Sequence, residues 1–321
     1  MGTPEGGTSA VVGEAFGQMS GSGANGGSLP PAVDANRLTV DGRAGPISYY
    51  HAGSGTPVLL VHSINAAAST FEMRPIFEHL QSTRSTYAVD LPGFGFSSRT
   101  ARRYDVTLYT TALLDMLDVI AQDLPDRAVD VIGLSLSCEF VARVASEHPH
   151  RVRQLVLINP TGFNRLGAQA NGPPLTNREI PGMHALLAAP LWREPLYRAL
   201  TRPGTIRYFL QRTYGSDQVD EDMVNYDHLT ARQEGASRAP LAFLSGRLFS
   251  KDVRRLYEGL DMPVWVPHGT RGDFKDFSHA EWARKRANWY FSRFTTGAMP
   301  HFERPLEFTA SLDSFLDTGA P

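Results

Sequence analysis

The stretch Asp130-Val-Ile-Gly-Leu-Ser-Leu-Ser-Cys-Glu-Phe140 sets Ser135 on an abrupt corner, between Gly133 and Ser137, where an apolar run gives way to a helix-like one. Small residues two positions either side suit a strand that turns straight into a helix, because larger side chains there would collide. A hydroxyl at such a place either caps the helix or acts as a nucleophile. The helix start directs free N–H groups and partial positive charge at the corner, which suits a developing oxyanion. A serine nucleophile also needs an imidazole to take its proton and a carboxylate to orient that imidazole.

The elements that must hold this corner alternate. Residues 47–51, 58–62, 86–90, 129–132, 152–158 and 263–268 read as strands, several of them continuous Val/Ile/Leu runs of the kind buried on both faces. Helical spacing appears over 71–79 and 105–120, and the pattern predicts a helix over 280–290, a short strand near 295–299 and a last helix over 306–316. Strands separated by helices imply an α/β protein with a mostly parallel central sheet covered on both faces. The rhythm breaks over 163–238, where proline-interrupted helical fragments without strand patterning predict a helical cap inserted into a core made of 35–162 and 239–321. Residues 1–34, rich in Gly, Ser and Pro, read as a disordered tail.

The serine corner, the strand-end His62, the turn Asp90-Leu-Pro-Gly-Phe-Gly95 and the inserted helical region together resemble the α/β-hydrolase superfamily, in its serine-nucleophile branch with a helical lid. The resemblance covers about residues 37 to 318. The elbow pattern G-x-S-x-G is met with Ser137 in place of the last glycine, and the loop His62-Ser-Ile-Asn65 has Ser63 where the family often has glycine. The resemblance implies an oxyanion hole made by the backbone N–H groups of Leu136 and Ile64, with Ser63 as the alternative first donor. It also implies the order serine, acid, histidine. His301, past the last strand, is then the expected base, with His268 as rival. Asp273 is the expected acid, with Asp276 second. Arg271 and Lys275 beside it read as loop charges.

The implied reaction is acyl transfer: Ser135 attacks an ester carbonyl, the alcohol leaves, and water releases the acid, with no cofactor and no metal. Carboxylesterase action on a medium-sized apolar ester is the first reading. Carbon–carbon bond hydrolase and hydroxynitrile-lyase-like chemistry remain open, as does a non-catalytic binding protein on this fold. Asn65, Phe94, Trp192, Tyr197, Tyr214 and Tyr226 are the expected pocket residues, with Phe209 and Leu210 among further apolar candidates.

Composition narrows partners. The 321 residues carry 31 Lys+Arg against 33 Asp+Glu, a net charge of −2, so no global field attracts nucleic acid or an anionic membrane. No apolar run approaches 20 residues, no basic-then-apolar leader opens the chain, and one cysteine, Cys138, leaves no intrachain disulfide. A cytoplasmic location without membrane insertion is expected.

Overall fold

The computed structural model describes residues 29–321. Eight strands form one sheet in the order β1-β2-β4-β3-β5-β6-β7-β8. They are β1 (Asn36–Gly42), β2 (Gly45–Ala52), β3 (Pro57–Val61), β4 (Ser85–Val89), β5 (Val129–Leu134), β6 (Val152–Ile158), β7 (Val264–Gly269) and β8 (Trp289–Phe294). β1 with β2 and β2 with β4 are antiparallel; the remaining pairs are parallel. The helices are α1 (Arg74–Leu80), α2 (Val106–Asp123), α3 (Ser137–Glu147), α4 (Arg165–Ala168), α5 (Met183–Leu187), α6 (Arg193–Leu200), α7 (Pro203–Tyr214), α8 (Glu221–Ala231), α9 (Arg238–Leu244), α10 (Val253–Glu258), α11 (Glu281–Arg284), α12 (Pro300–Glu303) and α13 (Pro305–Thr318).

The strand sequences explain the two-sided burial. In β3, Leu59 and Val61 enter the core layer with Tyr109 and Phe140, while Val58 and Leu60 enter the opposite layer with Phe77 and Phe308. That is the period of two with both faces covered. Helix ends follow local chemistry: the Asp105 carboxylate accepts from Leu108 N–H at 3.1 Å at the start of α2, and Gly319 (φ 78°) closes α13. Between β6 and β7 lie seven helices, α4 to α10, and one isolated antiparallel bridge, Asn177 with Ser250.

Three expectations change. The helix expected over 280–290 is the four-residue α11, and the expected strand over 295–299 is a turn; the last strand is β8, six residues earlier. The segment Trp289-Tyr-Phe-Ser-Arg-Phe294 alternates its aromatics between the layers, with Trp289 and Phe291 beside Phe163 and Tyr290 against Phe315, which favours a strand. The turn follows because Gly297 is pressed against Thr213 and Tyr214, where a Cβ would lie 2.3 Å from the Thr213 carbonyl. The tail also stops short of Asp34. Leu29, Ala32 and Val33 are buried, and Ala32 N–H donates to the Tyr50 hydroxyl at 3.0 Å. Residues 1–28 of that predicted tail lie outside the described residues.

Candidate active site

β5 delivers Ser135 to the carboxyl edge of the sheet and α3 begins two residues later, at Ser137. Ser135 has φ 56°, a left-handed conformation that a serine adopts only where its surroundings enforce it. The enforcement is visible. Ser135 N–H donates to the Ile158 carbonyl at 2.9 Å, and a Cβ on Gly133 would meet Val141 at 3.0 Å. Ser137, in the place of a glycine, donates its hydroxyl to the His62 carbonyl at 2.5 Å and so ties the start of α3 to the end of β3. Cys138 is buried beside this turn, and burial pushes its thiol well up, so it is an inert packing residue.

The loop after β3 is braced by Glu72. Its carboxylate accepts from Ser63 N–H (2.8 Å), the Ser63 hydroxyl (2.9 Å) and Asn65 Nδ2 (2.6 Å), while Asn65 Oδ1 accepts from Ala67 N–H (2.7 Å). Burial pushes Glu72 up to about 7, against the pull of these hydrogen bonds. The alternative oxyanion donor is thereby corrected, since the Ser63 N–H is spent on Glu72. Ile64 N–H and Leu136 N–H have no hydrogen-bond partner among the described residues, and Ser135 Oγ has none either.

The expected base is not brought to the serine. The His301 ring is fully buried, its Nε2–H donates to the Glu72 carbonyl at 2.8 Å, and its Nδ1 is buried without a partner. Packing against Phe302 and Phe308 completes its surroundings, and burial pushes it down to about 4, so it is neutral. The physical reason is direct: one ring nitrogen is held inward by a backbone carbonyl and the other is sealed in the core, so neither is presented to a serine at the surface of a cleft. His268 offers no replacement. It stacks on Phe277 at 4.2 Å, donates Nδ1–H to the Gly269 carbonyl at 3.2 Å and leaves Nε2 buried and unpartnered. The acids bond no histidine. Asp273 pairs through both oxygens with Arg212, at 2.5 and 2.9 Å. Asp276 accepts from Ser278, whose hydrogen bonds hold it below the usual carboxylate range.

Asp273 and Ser135 do meet around a cavity of about 60 Å³, completed by Asn159, Thr161, Asn164, Phe274 and others. Asp273 and Phe274 also line a larger cavity of about 300 Å³ with Asn65, Ala66 and Ala67 of the β3 loop and residues of α6 to α9. The wall between nucleophile and chamber is therefore Asp273-Phe274. Of the expected pocket residues only Asn65 lines the chamber, joined by Phe209 and Leu210. Phe94 packs edge-on to His62, Trp192 donates Nε1–H to the Leu186 carbonyl, and Tyr197 donates to the Ala66 carbonyl at 2.8 Å. Tyr214 is buried, and Tyr226 stacks on Phe71. Sequence reading missed Glu72, Asp227, Arg212 and Phe274. Asp227 had a signal: it shares the apolar face of α8 with Met223, Val224, Thr230 and Ala231, where a carboxylate is out of place.

Comparison with known proteins agrees with this architecture. The family model described as alpha/beta hydrolase fold matches residues 56–223, just over half the chain. A 2-hydroxymuconate semialdehyde hydrolase of Pseudomonas putida is 30% identical over 246 residues, covering 71% of this chain and 84% of that protein. A 2-hydroxy-6-oxo-2,4-heptadienoate hydrolase of Pseudomonas putida is 33% identical over 114 residues, 35% of this chain and 40% of the relative. Other curated relatives are matched over 27% and 54% of their lengths. Among solved structures, a serine hydrolase involved in carbazole degradation superposes with a TM-score of 0.69 at 18% identity, covering 88% of this chain and 99% of that one. No helix among the described residues is long and apolar enough to cross a membrane. By its sheet order, its serine elbow and its match to the family model the chain belongs to the α/β-hydrolase fold family.

Proposed function

We propose that this chain hydrolyses a small, largely apolar carbonyl compound whose leaving group departs as a stabilised anion, with Ser135 as nucleophile and the N–H groups of Ile64 and Leu136 as oxyanion donors. The observation that carries the reading is the strained Ser135, whose hydroxyl has no hydrogen-bond partner among the described residues, with unpartnered N–H groups at Leu136 and Ile64 and no imidazole bonded to it. In the first step the Ser135 oxygen bonds to the carbonyl carbon, and its proton passes through water in the small cavity toward Asp273. A cavity of about 60 Å³ has room for such a relay. The bond to the leaving group then breaks, and water later releases the acyl group. Without an imidazole to hand back a proton, an alkoxide leaves too slowly, whereas a phenolate, an enolate or another delocalised carbanion leaves unassisted. Loss of the base from a serine triad leaves about 10³–10⁴-fold acceleration over water from the oxyanion hole and binding.

Activated aryl or enol esters are the first substrate class, in keeping with an apolar chamber of about 300 Å³. Carbon–carbon bond hydrolysis is the second, favoured by the two Pseudomonas putida relatives, whose names describe hydrolases of a dienoate and a semialdehyde. The test is a series of acetate esters, p-nitrophenyl, phenyl and ethyl, with wild type, Ser135→Ala and His301→Gln. The expected result is turnover that falls steeply with leaving-group basicity, vanishes in Ser135→Ala and stays within about twofold in folded His301→Gln. Equal rates in wild type and Ser135→Ala would remove the serine from the reaction. Loss of rate in His301→Gln at unchanged stability would restore His301 as base.

A further inference from the structure

Of the two carboxylates that line the large chamber, Asp273 is paired with Arg212 and Asp227 is not paired. Asp227, on α8, lines the 300 Å³ cavity, is 5% exposed, and has one carboxylate oxygen wholly buried without a partner. Its carboxyl makes no hydrogen bond to any described residue. A buried charge or acid in that condition is costly, and native proteins rarely keep one without a compensating group. The cation that shares the chamber is no help, because the Arg212 guanidinium is committed to Asp273. Burial pushes the Asp227 carboxyl well above the usual carboxylate range, and the nearby carboxylates Glu72 and Asp220 push it the same way. The Tyr214 hydroxyl, close enough to feel Asp227 and Glu72, is a second buried oxygen without a partner. The rest of the wall is predominantly apolar, with Ile206, Phe209, Leu210 and Phe243 among its side chains.

From this combination we infer that the chamber binds an apolar molecule carrying a protonated amine, with Asp227 as the partner of the ammonium group. The ammonium supplies the donors that Asp227 lacks, its positive charge stabilises the ionised carboxylate that burial otherwise disfavours, so that an amine entering as the free base takes up the Asp227 proton, and its hydrocarbon body fills the space between α7 and α9. An anionic ligand would be a like charge to the nearby carboxylates, and a neutral alcohol would satisfy the hydrogen bond without the charge. The inference concerns which molecules enter the chamber, and it is read by binding, separately from any turnover at Ser135.

The experiment is isothermal titration calorimetry of the full chain with hexylamine, hexanol and hexanoate at pH 7.5, repeated with Asp227→Asn. The expected result is hexylamine binding at least tenfold tighter than hexanol, no detectable hexanoate binding, and at least a tenfold loss of hexylamine affinity in Asp227→Asn with hexanol little changed. Equal affinity for amine and alcohol, tighter binding of the carboxylate, or no binding of any of the three by the wild-type chain would overturn the inference. The three-ligand comparison on wild type decides the matter even if the variant fails to fold. Where it does fold, unchanged hexylamine affinity in Asp227→Asn overturns the assignment of Asp227.

Discussion

His301 and Glu72 form one hydrogen-bonded unit, since the imidazole donates to the backbone carbonyl of the residue whose side chain braces the β3 loop. Burial shifts the two groups in opposite directions. Glu72 moves from its ordinary 4.5 to about 7, so the folded chain keeps a proton that the unfolded chain releases, and Glu72 costs stability as pH rises through that window. His301 moves from 6.5 to about 4, so the unfolded chain takes up a proton that the folded chain refuses, and stability is lost as pH falls from 6.5 toward 4. Each shift corresponds to at most about 3 kcal/mol. Urea unfolding at pH 4.5 and 7.5 separates them. Relative to wild type, Glu72→Gln should gain with rising pH and His301→Gln should gain with falling pH, by about 2 kcal/mol or more in each case. Curves that stay parallel to wild type at both pH values would show that neither group titrates as its burial demands.

At the level of elements, the decisive segment is the turn between β8 and α12. Its Ala298 donates N–H to the Thr213 carbonyl at 3.0 Å, and Thr213 lines the chamber, so Ala298 lies beside the chamber wall while His301, three residues on, lies in the core. If Ser135 lacks only a base, Ala298→His should raise p-nitrophenyl ester turnover by about 10²-fold or more, the usual worth of a positioned base. An unchanged rate in a folded variant would mean that the turn cannot aim an imidazole at Ser135. The sheet and the elbow were legible in the sequence because burial on both faces writes continuous apolar runs, and a strained corner demands small neighbours such as Gly133 and Ser137. The base was not legible. A histidine that satisfies a backbone carbonyl and a histidine that serves a nucleophile occupy the same kind of loop, and only the Glu72 carbonyl, 229 positions away in the chain, tells them apart. The boundary between α11 and β8 was misread for a related reason: Arg284, Lys285 and Arg286 interrupt the aromatics at intervals that mimic a helix face.

Across the whole molecule, residues 29–33 join parts that are distant in sequence. Pro30 offers its carbonyl to the Tyr226 hydroxyl at 2.8 Å, Tyr226 stacks on Phe71 with centroids 4.8 Å apart, and Ala32 bonds the Tyr50 hydroxyl of β2. Helix α8 is thus riveted to the sheet layer, whereas α5 has no buried residue and α6 has only Tyr197. Tyr226→Phe removes one hydrogen bond and should lower the melting temperature by about 2 °C, from a loss of about 1 kcal/mol. The rivet also divides the helical insertion into two tiers of different tempo. In hydrogen–deuterium exchange the amides of α8 should be protected nearly as long as those of β5, while α5 and α6 exchange early, and Tyr226→Phe should advance α8 alone. Molecules that come and go from the chamber would then pass on the side of the loosely held helices, at a pace set by their fraying, with Asp227 standing still as the fixed wall behind them.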